Sequence, residues 1–255
     1  MRTYDAIDKV SEKIIKSGLC RAIVVKGSIG RGDDDEYSDV DLYALAKDDT
    51  YQLLLKEREN FLEAYGPLVF REEVNFGLEQ MIGIYENALH IDLYIASSLE
   101  QMGTLDPVKV IYDPESLFEA YKAAREEMKF DEIAQCFNTV LYDFVEADSA
   151  YQRNNLVWAG HIMSNAVANC AILLRWKYDK KYTFLGLKKI NEILPGEEYD
   201  YLLKAYTALH KNDFKEANKT ILTMLKLFYS ECTDDELLLL DKKFYQWTKE
   251  NYATL

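Results

Sequence analysis

The pattern of apolar and polar positions divides the chain into two parts with different periods. In the first part, apolar positions recur at helical spacing over about residues 5–17 and 51–65. Between and after these helices lie short β-branched or alternating runs that are typical of strands. The predicted strands cover residues 21–26, 40–46, 68–74, 81–85, 89–95 and 108–112. This part of the chain therefore predicts a mixed sheet with helices.

The second part of the chain carries helical patterns alone. The predicted helices cover residues 116–129, 131–151, 155–178, 185–194, 199–209, 214–229 and 234–252. The change of period predicts an α+β protein in which residues 1–115 form a mixed-sheet domain and residues 116–255 form an all-helical bundle.

One short stretch carries residues suited to chemistry. Gly27 and Ser28 follow the first predicted strand, and a turn of this kind presents successive amides to a phosphate. Asp39 and Asp41 come next, two residues apart, so both carboxylates project from the same strand face. Two neighbouring carboxylates repel each other unless a cation lies between them, and oxygen ligands suit Mg²⁺ or Mn²⁺. The alternative is a glycine-rich hairpin with an acidic, solvated tip.

A third carboxylate lies inside a later strand. In the run 89–95, Asp92 points away from the face that carries the apolar residues. An aspartate in such a strand is costly unless it is paired, ligates a cation or faces water at a strand edge. We expect Asp92 to complete the same metal site, while the strand-edge position stays open as an alternative.

The stretch resembles the motif of the DNA polymerase beta-like nucleotidyltransferases. The matching residues are Gly27, Ser28, Arg31, Gly32, Ser38, Asp39, Asp41 and Leu42. The resemblance implies that the first domain is catalytic and that Asp39, Asp41 and Asp92 are metal-binding catalytic residues holding two Mg²⁺ ions, or Mn²⁺. It also implies nucleotide binding by Gly27, Ser28, Arg31 and Ser38, with ATP or another nucleoside triphosphate as co-substrate.

The helical second domain is similar in layout to that of the aminoglycoside and lincosamide nucleotidyltransferases. This resemblance implies transfer of a nucleoside monophosphate, AMP from ATP in the first instance, to a hydroxyl of a small antibiotic. Lys188 and Lys189 belong to a short basic stretch that we expect to contact the triphosphate. The alternative is that these cations complement a helix dipole. Asp143 and Glu146 are expected on a solvated helix face.

Charge and composition limit the classes of molecule that the protein is expected to bind. The chain has 30 basic and 44 acidic residues, a net charge of -14, so it is expected to repel nucleic acids and to attract small cationic substrates. Four scattered cysteines form no metal or redox spacing, and no apolar run long enough to cross a membrane is recognised. We expect a cytoplasmic protein without nucleic-acid or membrane partners. The oligomeric state is left open, a homodimer included.

Two other functions stay open at this point. The first is an adenylyltransferase that modifies a protein partner, as antitoxin-like members of the superfamily do. The second is a binding module that keeps the fold without catalysis. The presence of three carboxylates beside Gly27 and Ser28 argues against the second, because a non-catalytic site has no chemical need for them.

Overall fold

The computed structural model describes residues 1–252 and divides the chain into two compact units, Met1–Arg125 and Glu126–Leu255. The N-terminal unit contains a six-stranded sheet with helices, and the described part of the C-terminal unit is helical. The predicted α+β class is therefore confirmed. The sequence placed the domain boundary after residue 115, whereas the structural division falls after Arg125.

The sheet of the N-terminal unit has the strand order β3-β4-β5-β2-β1-β6. The strands are β1 (Cys20–Val25), β2 (Val40–Ala46), β3 (Leu68–Asn75), β4 (Glu79–Tyr85), β5 (His90–Ala96) and β6 (Lys109–Tyr112). The helices of this unit are α1 (Arg2–Ser17), α2 (Gly27–Arg31), α3 (Tyr51–Leu62) and α4 (Leu99–Met102). Strands β2 and β5 pair in parallel, while the other pairs are antiparallel.

The two faces of the sheet are covered differently, because the side chains of a strand alternate between faces. On one face, β2 and β5 bury apolar side chains such as Leu42 and Leu93 against α1 and α3. The other face carries a smaller apolar cluster around Val24, Leu45 and Phe118. Asp41 and Asp92 belong to this second face, since they alternate with the buried apolar residues of their strands.

The helix predicted over 116–129 is wrong, because this segment forms turns and irregular chain. The carboxylate of Asp113 accepts the backbone N–H of Phe118 at 2.8 Å, and Phe118 packs into the smaller cluster of the sheet. Further on, Arg125 forms an ion pair of 2.9 Å with Asp106. Such contacts outweigh local helix preference, and they explain why the N-terminal unit extends to Arg125.

The C-terminal unit is built on two long helices with shorter ones packed around them. Its helices are α5 (Phe130–Gln152), α6 (Leu156–Tyr178), a 3-10 helix (Lys180–Leu185), α7 (Ile190–Ile193), α8 (Gly196–His210), α9 (Phe214–Glu231), α10 (Asp234–Leu239) and α11 (Lys242–Tyr252). Helix α6 is long and apolar enough to cross a membrane by length and composition, which the sequence analysis did not recognise. Its buried positions, Val167 and Leu174 among them, contribute to the core of the helical unit.

Two helices of this unit differ from their predicted bounds. The single helix predicted over 234–252 is interrupted at Leu240, whose backbone is extended. Asp241 then accepts the backbone N–H of Phe244 at 2.9 Å and so starts α11 as a separate helix. The helix predicted over 185–194 is replaced by the end of the 3-10 helix and by α7, with Gly186 at φ 53° between them.

Candidate active site

The predicted phosphate-binding turn is a single short helix that begins directly after β1. Gly27 has φ 61°, a left-handed conformation that glycine adopts without steric cost, and α2 starts at this residue. At the other end, Gly32 has φ 79° and donates its N–H to the carbonyl of Ser28 at 2.9 Å. The first amides of a helix have no acceptor within the helix. The turn therefore presents N–H groups near Gly27 and Ser28 for an anion.

Ser28 has a feature that points to a ligand. The residue is 4% exposed, and its Oγ has no hydrogen-bond partner within residues 1–252. A buried hydroxyl left without a partner costs about 1–3 kcal/mol, so it indicates a group that pairs when a ligand is bound. Rotation about χ1 redirects this hydroxyl, which leaves Ser28 suited to bind a phosphate oxygen.

The carboxylates of Asp41 and Asp92 lie side by side on the face described above. Asp41 of β2 is directly paired with Asp92 of β5 in the parallel register. Neighbouring strands are about 4.8 Å apart, and directly paired residues point to the same face. Asp39 lies one residue before β2 begins and is half-buried. The structure thus brings together Asp41 and Asp92, which are far apart in sequence. Asp39 lies just before the start of β2, the strand that carries Asp41.

The carboxylate of Asp41 also lies against the start of α2. A Cβ atom placed on Gly27 would be 2.0 Å from Oδ2 of Asp41, so a side chain at position 27 would displace this carboxylate. The backbone holds the same arrangement, because the N–H of Lys26 donates to the carbonyl of Asp41 at 3.0 Å. The predicted phosphate-binding turn and the carboxylate pair therefore lie against each other.

His90 contacts the third carboxylate, a role that the sequence analysis did not assign. Its Nε2 lies 2.8 Å from Oδ1 of Asp92, two residues along the same face of β5. The side chain of Asp92 is 15% exposed, and that of His90 is 40% exposed. The spacing of His90 and Asp92, two residues apart in a strand, was the signal that could have revealed this contact. His90 restrains the orientation of the Asp92 carboxylate.

Lys26 packs beside the site, a position that was not predicted from the sequence. It is 7% exposed and its Nζ donates to the carbonyls of Met102 and Gly103, the latter at 3.1 Å. The same Nζ lies 4.8 Å from the ring centroid of Tyr43, which stacks on Tyr94 at 4.2 Å. Burial lowers the pKa of Lys26. Burial, with the charge of Asp41 as the next cause, raises the pKa of Tyr43. Tyr43 follows Asp41 by two residues in β2, so Lys26 and Tyr43 form a packed pair beside this carboxylate.

The other residues predicted to bind the nucleotide are engaged within the loop between α2 and β2. Arg31 forms an ion pair of 3.2 Å with Asp33. The Oγ of Ser38 accepts the backbone N–H of Asp35 at 2.9 Å and donates to its carboxylate at 3.2 Å. Ser38 thus fixes the loop that leads to Asp39, and nucleotide binding by Arg31 and Ser38 stays a prediction.

Lys188 and Lys189 belong to the C-terminal unit. The carbonyl of Lys188 accepts from Nη1 of Arg175 at 2.6 Å, and Lys189 has φ 54° at the start of α7. Other cations of the basic stretch are paired inside this unit. Arg175 pairs with Asp179 at 2.7 Å, and Lys177 bonds to two glutamates at 2.8 Å. A structural role accounts for Arg175 and Lys177, while contact between the two lysines and a nucleotide stays a prediction.

The chemistry of the donor set fits a divalent cation. Asp39, Asp41 and Asp92 offer carboxylate oxygens, which are the ligands that Mg²⁺ prefers. Within residues 1–252, no group of three or more His, Cys, Asp or Glu side chains is gathered tightly enough to form a ready metal site. The fit therefore rests on the paired carboxylates of Asp41 and Asp92 and on the space that Gly27 leaves beside them.

Comparison with known proteins gives one family match, in the N-terminal part of the chain. Residues 7–123 match the family model described as a nucleotidyltransferase domain. No match was found among curated proteins. Among solved structures, an aminoglycoside 6-adenyltransferase from Bacillus subtilis is 15% identical, with 100% of each chain covered and a TM-score of 0.35. A nucleotidyltransferase-like protein from Exiguobacterium sibiricum 255-15 is 11% identical, with 96% of this chain and 79% of that chain covered and a TM-score of 0.36. At this similarity neither structure bears on the acceptor.

Proposed function

We propose that this protein is an enzyme that transfers a nucleoside monophosphate to a hydroxyl of a small cationic molecule. The match of residues 7–123 to a nucleotidyltransferase domain supports the proposal, as does the resemblance of the motif. The observation that carries the proposal is that the start of α2 lies against the paired carboxylates of Asp41 and Asp92. A nucleoside triphosphate is the donor that the family implies, and ATP is the first candidate.

The reaction is a displacement at the α-phosphorus of the triphosphate. The acceptor oxygen forms a bond to this phosphorus, and the bond to the oxygen that bridges to the β-phosphate breaks. Pyrophosphate leaves with that electron pair, and the hydroxyl proton is released. Divalent cations bound at such a site lower the pKa of the acceptor hydroxyl and neutralise the charge of the leaving pyrophosphate.

The residues of the chain have separate tasks in this proposal. The first amides of α2 and the hydroxyl of Ser28 bind the phosphates. The first amides of a helix have no acceptor within that helix, and Oγ of Ser28 has no hydrogen-bond partner within residues 1–252. Asp39, Asp41 and Asp92 would hold the cations, two Mg²⁺ ions or Mn²⁺. His90 and Gly27 position two of these carboxylates.

The acceptor is proposed from the charge of the chain. A net charge of -14 favours a molecule that carries amines over a polyanion such as RNA. Aminoglycosides suit this charge best, and lincosamides, with one amine, gain less from it. A protein hydroxyl as acceptor and a binding module without catalysis are the two alternatives.

The test is pyrophosphate release by the purified protein with Mg²⁺, each nucleoside triphosphate and a panel of aminoglycosides, lincosamides, short RNA and neutral polyols. We expect release with ATP and at least one antibiotic. Asp39→Asn and Asp41→Asn should each lower the rate by about 100-fold or more while the protein stays folded. Asp8→Asn, the same chemical change at an exposed position of α1, is the matched control. Nucleotide addition to RNA alone, or none to any acceptor, would contradict the proposal.

A further inference from the structure

A row of directly paired residues crosses four strands and connects the candidate active site to the edge of the sheet. Glu72 of β3 pairs with Ile82 of β4, Ile82 pairs with Asp92 of β5, and Asp92 pairs with Asp41 of β2. Directly paired residues point to the same face, so all four side chains lie on the face of the active site. The row places a carboxylate two strands away from Asp92, with an isoleucine between them.

The orientation of Glu72 follows independently from its neighbours. Arg71 and Glu73 point to the opposite face, where they form ion pairs with Glu59 and Arg58 of α3. Glu72 alternates with them and therefore belongs to the face of Asp92. It is exposed, and within residues 1–252 it has no ion pair or hydrogen bond. Glu72 is thus a charge available to a ligand.

The surface around Glu72 is apolar and exposed. Phe70, two residues earlier on the same strand and face, is 46% exposed, and Ile82 and Ile84 of the neighbouring strand are half-buried. Contiguous apolar side chains that are exposed or partly exposed beside a candidate active site indicate a surface that is covered when a ligand binds. Its acidic end is unsuited to a triphosphate, because like charges repel.

We infer that this strip, formed by Phe70, Glu72, Ile82 and Ile84, binds the acceptor of the reaction, and the inference rests on the proposed function. The acceptor places its hydroxyl at Asp41 and Asp92 and an ammonium group at Glu72, while a nonpolar part covers Ile82 and Phe70. Two strand spacings amount to about 10 Å, which sets the separation between the reacting hydroxyl and the ammonium. The substrate class is a hydroxylated amine of at least this length.

The experiment uses kanamycin and its fully N-acetylated derivative, which keeps the hydroxyls but lacks the ammonium groups. Wild type, Glu72→Gln and Glu63→Gln are compared in the full chain. Glu63 is an exposed carboxylate at the end of α3, the helix on the opposite face, so its variant makes the same change in charge away from the strip. Kanamycin binding is measured by calorimetry without nucleotide, and KM values for kanamycin and ATP are measured by pyrophosphate release.

For Glu72→Gln we expect the Kd and KM of kanamycin to rise about fivefold, which corresponds to the loss of an exposed ion pair. The preference of the enzyme for kanamycin over the acetylated derivative should fall by the same factor. Glu63→Gln should retain the wild-type values. The inference would be overturned if Glu72→Gln left the Kd of kanamycin unchanged, if Glu63→Gln had an equal effect, or if Glu72→Gln raised the KM of ATP instead. In each of these cases, transfer by the wild type would still uphold the proposed function. Transfer only to acceptors without an amine would also overturn it. Absence of pyrophosphate release with every acceptor would remove the proposed function and this inference with it.

Discussion

Gly27 and Asp41 are so close that a methyl group on the glycine would lie 2.0 Å from Oδ2 of the aspartate. The contact joins the start of α2, which offers amides to a phosphate, to a carboxylate suited to a cation. It also explains why residue 27 is a glycine on two separate grounds, the absence of space and the left-handed φ of 61°.

Gly27→Ala is expected to displace the Asp41 carboxylate and to lower the transfer rate by about 100-fold, since a shift of about 1 Å in a catalytic group has effects of this size. The left-handed backbone adds a loss of stability of about 1 kcal/mol. Gly32→Ala is the matched control, because Gly32 has φ 79° but, among residues 1–252, no non-neighbouring atom within 4 Å of its added Cβ. It should lose similar stability and keep most activity. Equal rates for the two variants would show that the contact with Asp41 does not matter.

The hydrogen bond between His90 and Asp92 gives a second prediction. His90→Phe removes the bond of 2.8 Å and keeps an aromatic ring, so kcat should fall about tenfold with a smaller change in the KM of ATP. His90→Gln retains a donor and should lose less. Steady-state kinetics of both variants provide the measurement. If the two lose the same activity, His90 has a role other than orienting Asp92.

Lys26→Met should destabilise the N-terminal unit rather than change substrate affinity. The buried ammonium group donates to the carbonyls of Met102 and Gly103, and its removal leaves these acceptors unpaired at a cost of about 2 kcal/mol. Thermal unfolding should show a decrease in Tm of about 4–8 °C. Lys47→Met, at an exposed position after β2, is the control and should shift the Tm much less. An unchanged Tm for Lys26→Met would exclude this structural role.

The partial burial of Asp143 leads us to expect that stability depends on pH. It was expected on a solvated helix face, but it is half-buried, and its Oδ2 has no hydrogen-bond partner within residues 1–252. Burial, with repulsion from Glu146 as the second cause, raises the pKa of Asp143 from 3.8 to about 6. The folded state therefore retains the proton up to a higher pH than the unfolded chain does. Its contribution to stability is present below pH 3.8 and is lost as the pH rises towards 6.

Asp143→Asn should consequently raise the free energy of unfolding at pH 8 by about 1 kcal/mol, a value reduced because the side chain is partly exposed. The Tm should rise accordingly at pH 8 and change little at pH 4. Asp200→Asn, an exposed position on α8, serves as the control and should show no such pH dependence. Thermal unfolding at the two pH values is the measurement. A gain of equal size at both would mean that the charge of Asp143 is not its source.

Much of the fold could be predicted from local pattern. The alternation in 40–46 and 89–95 predicted strands whose polar residues share one face, and the structure has Asp41 and Asp92 at such positions. Gly27 and Ser28 were recognised because a glycine after a buried strand permits a sharp turn. These features depend on a few consecutive residues, so the sequence contains the physical information needed to recognise them.

Other features depend on residues that are far apart in the chain. The pairing of Asp41 with Asp92 and the row that ends at Glu72 follow from strand order and register. The bonds from Lys26 to the carbonyls at the end of α4 likewise join distant parts of the chain. The helix predicted over 116–129 failed for the same reason, since contacts with Asp106 and Asp113 outweigh local preference. The sequence alone determined which residues are candidates for the chemistry and the strand faces on which they lie. Tertiary structure decided which of them meet, because register is set by packing across the whole sheet.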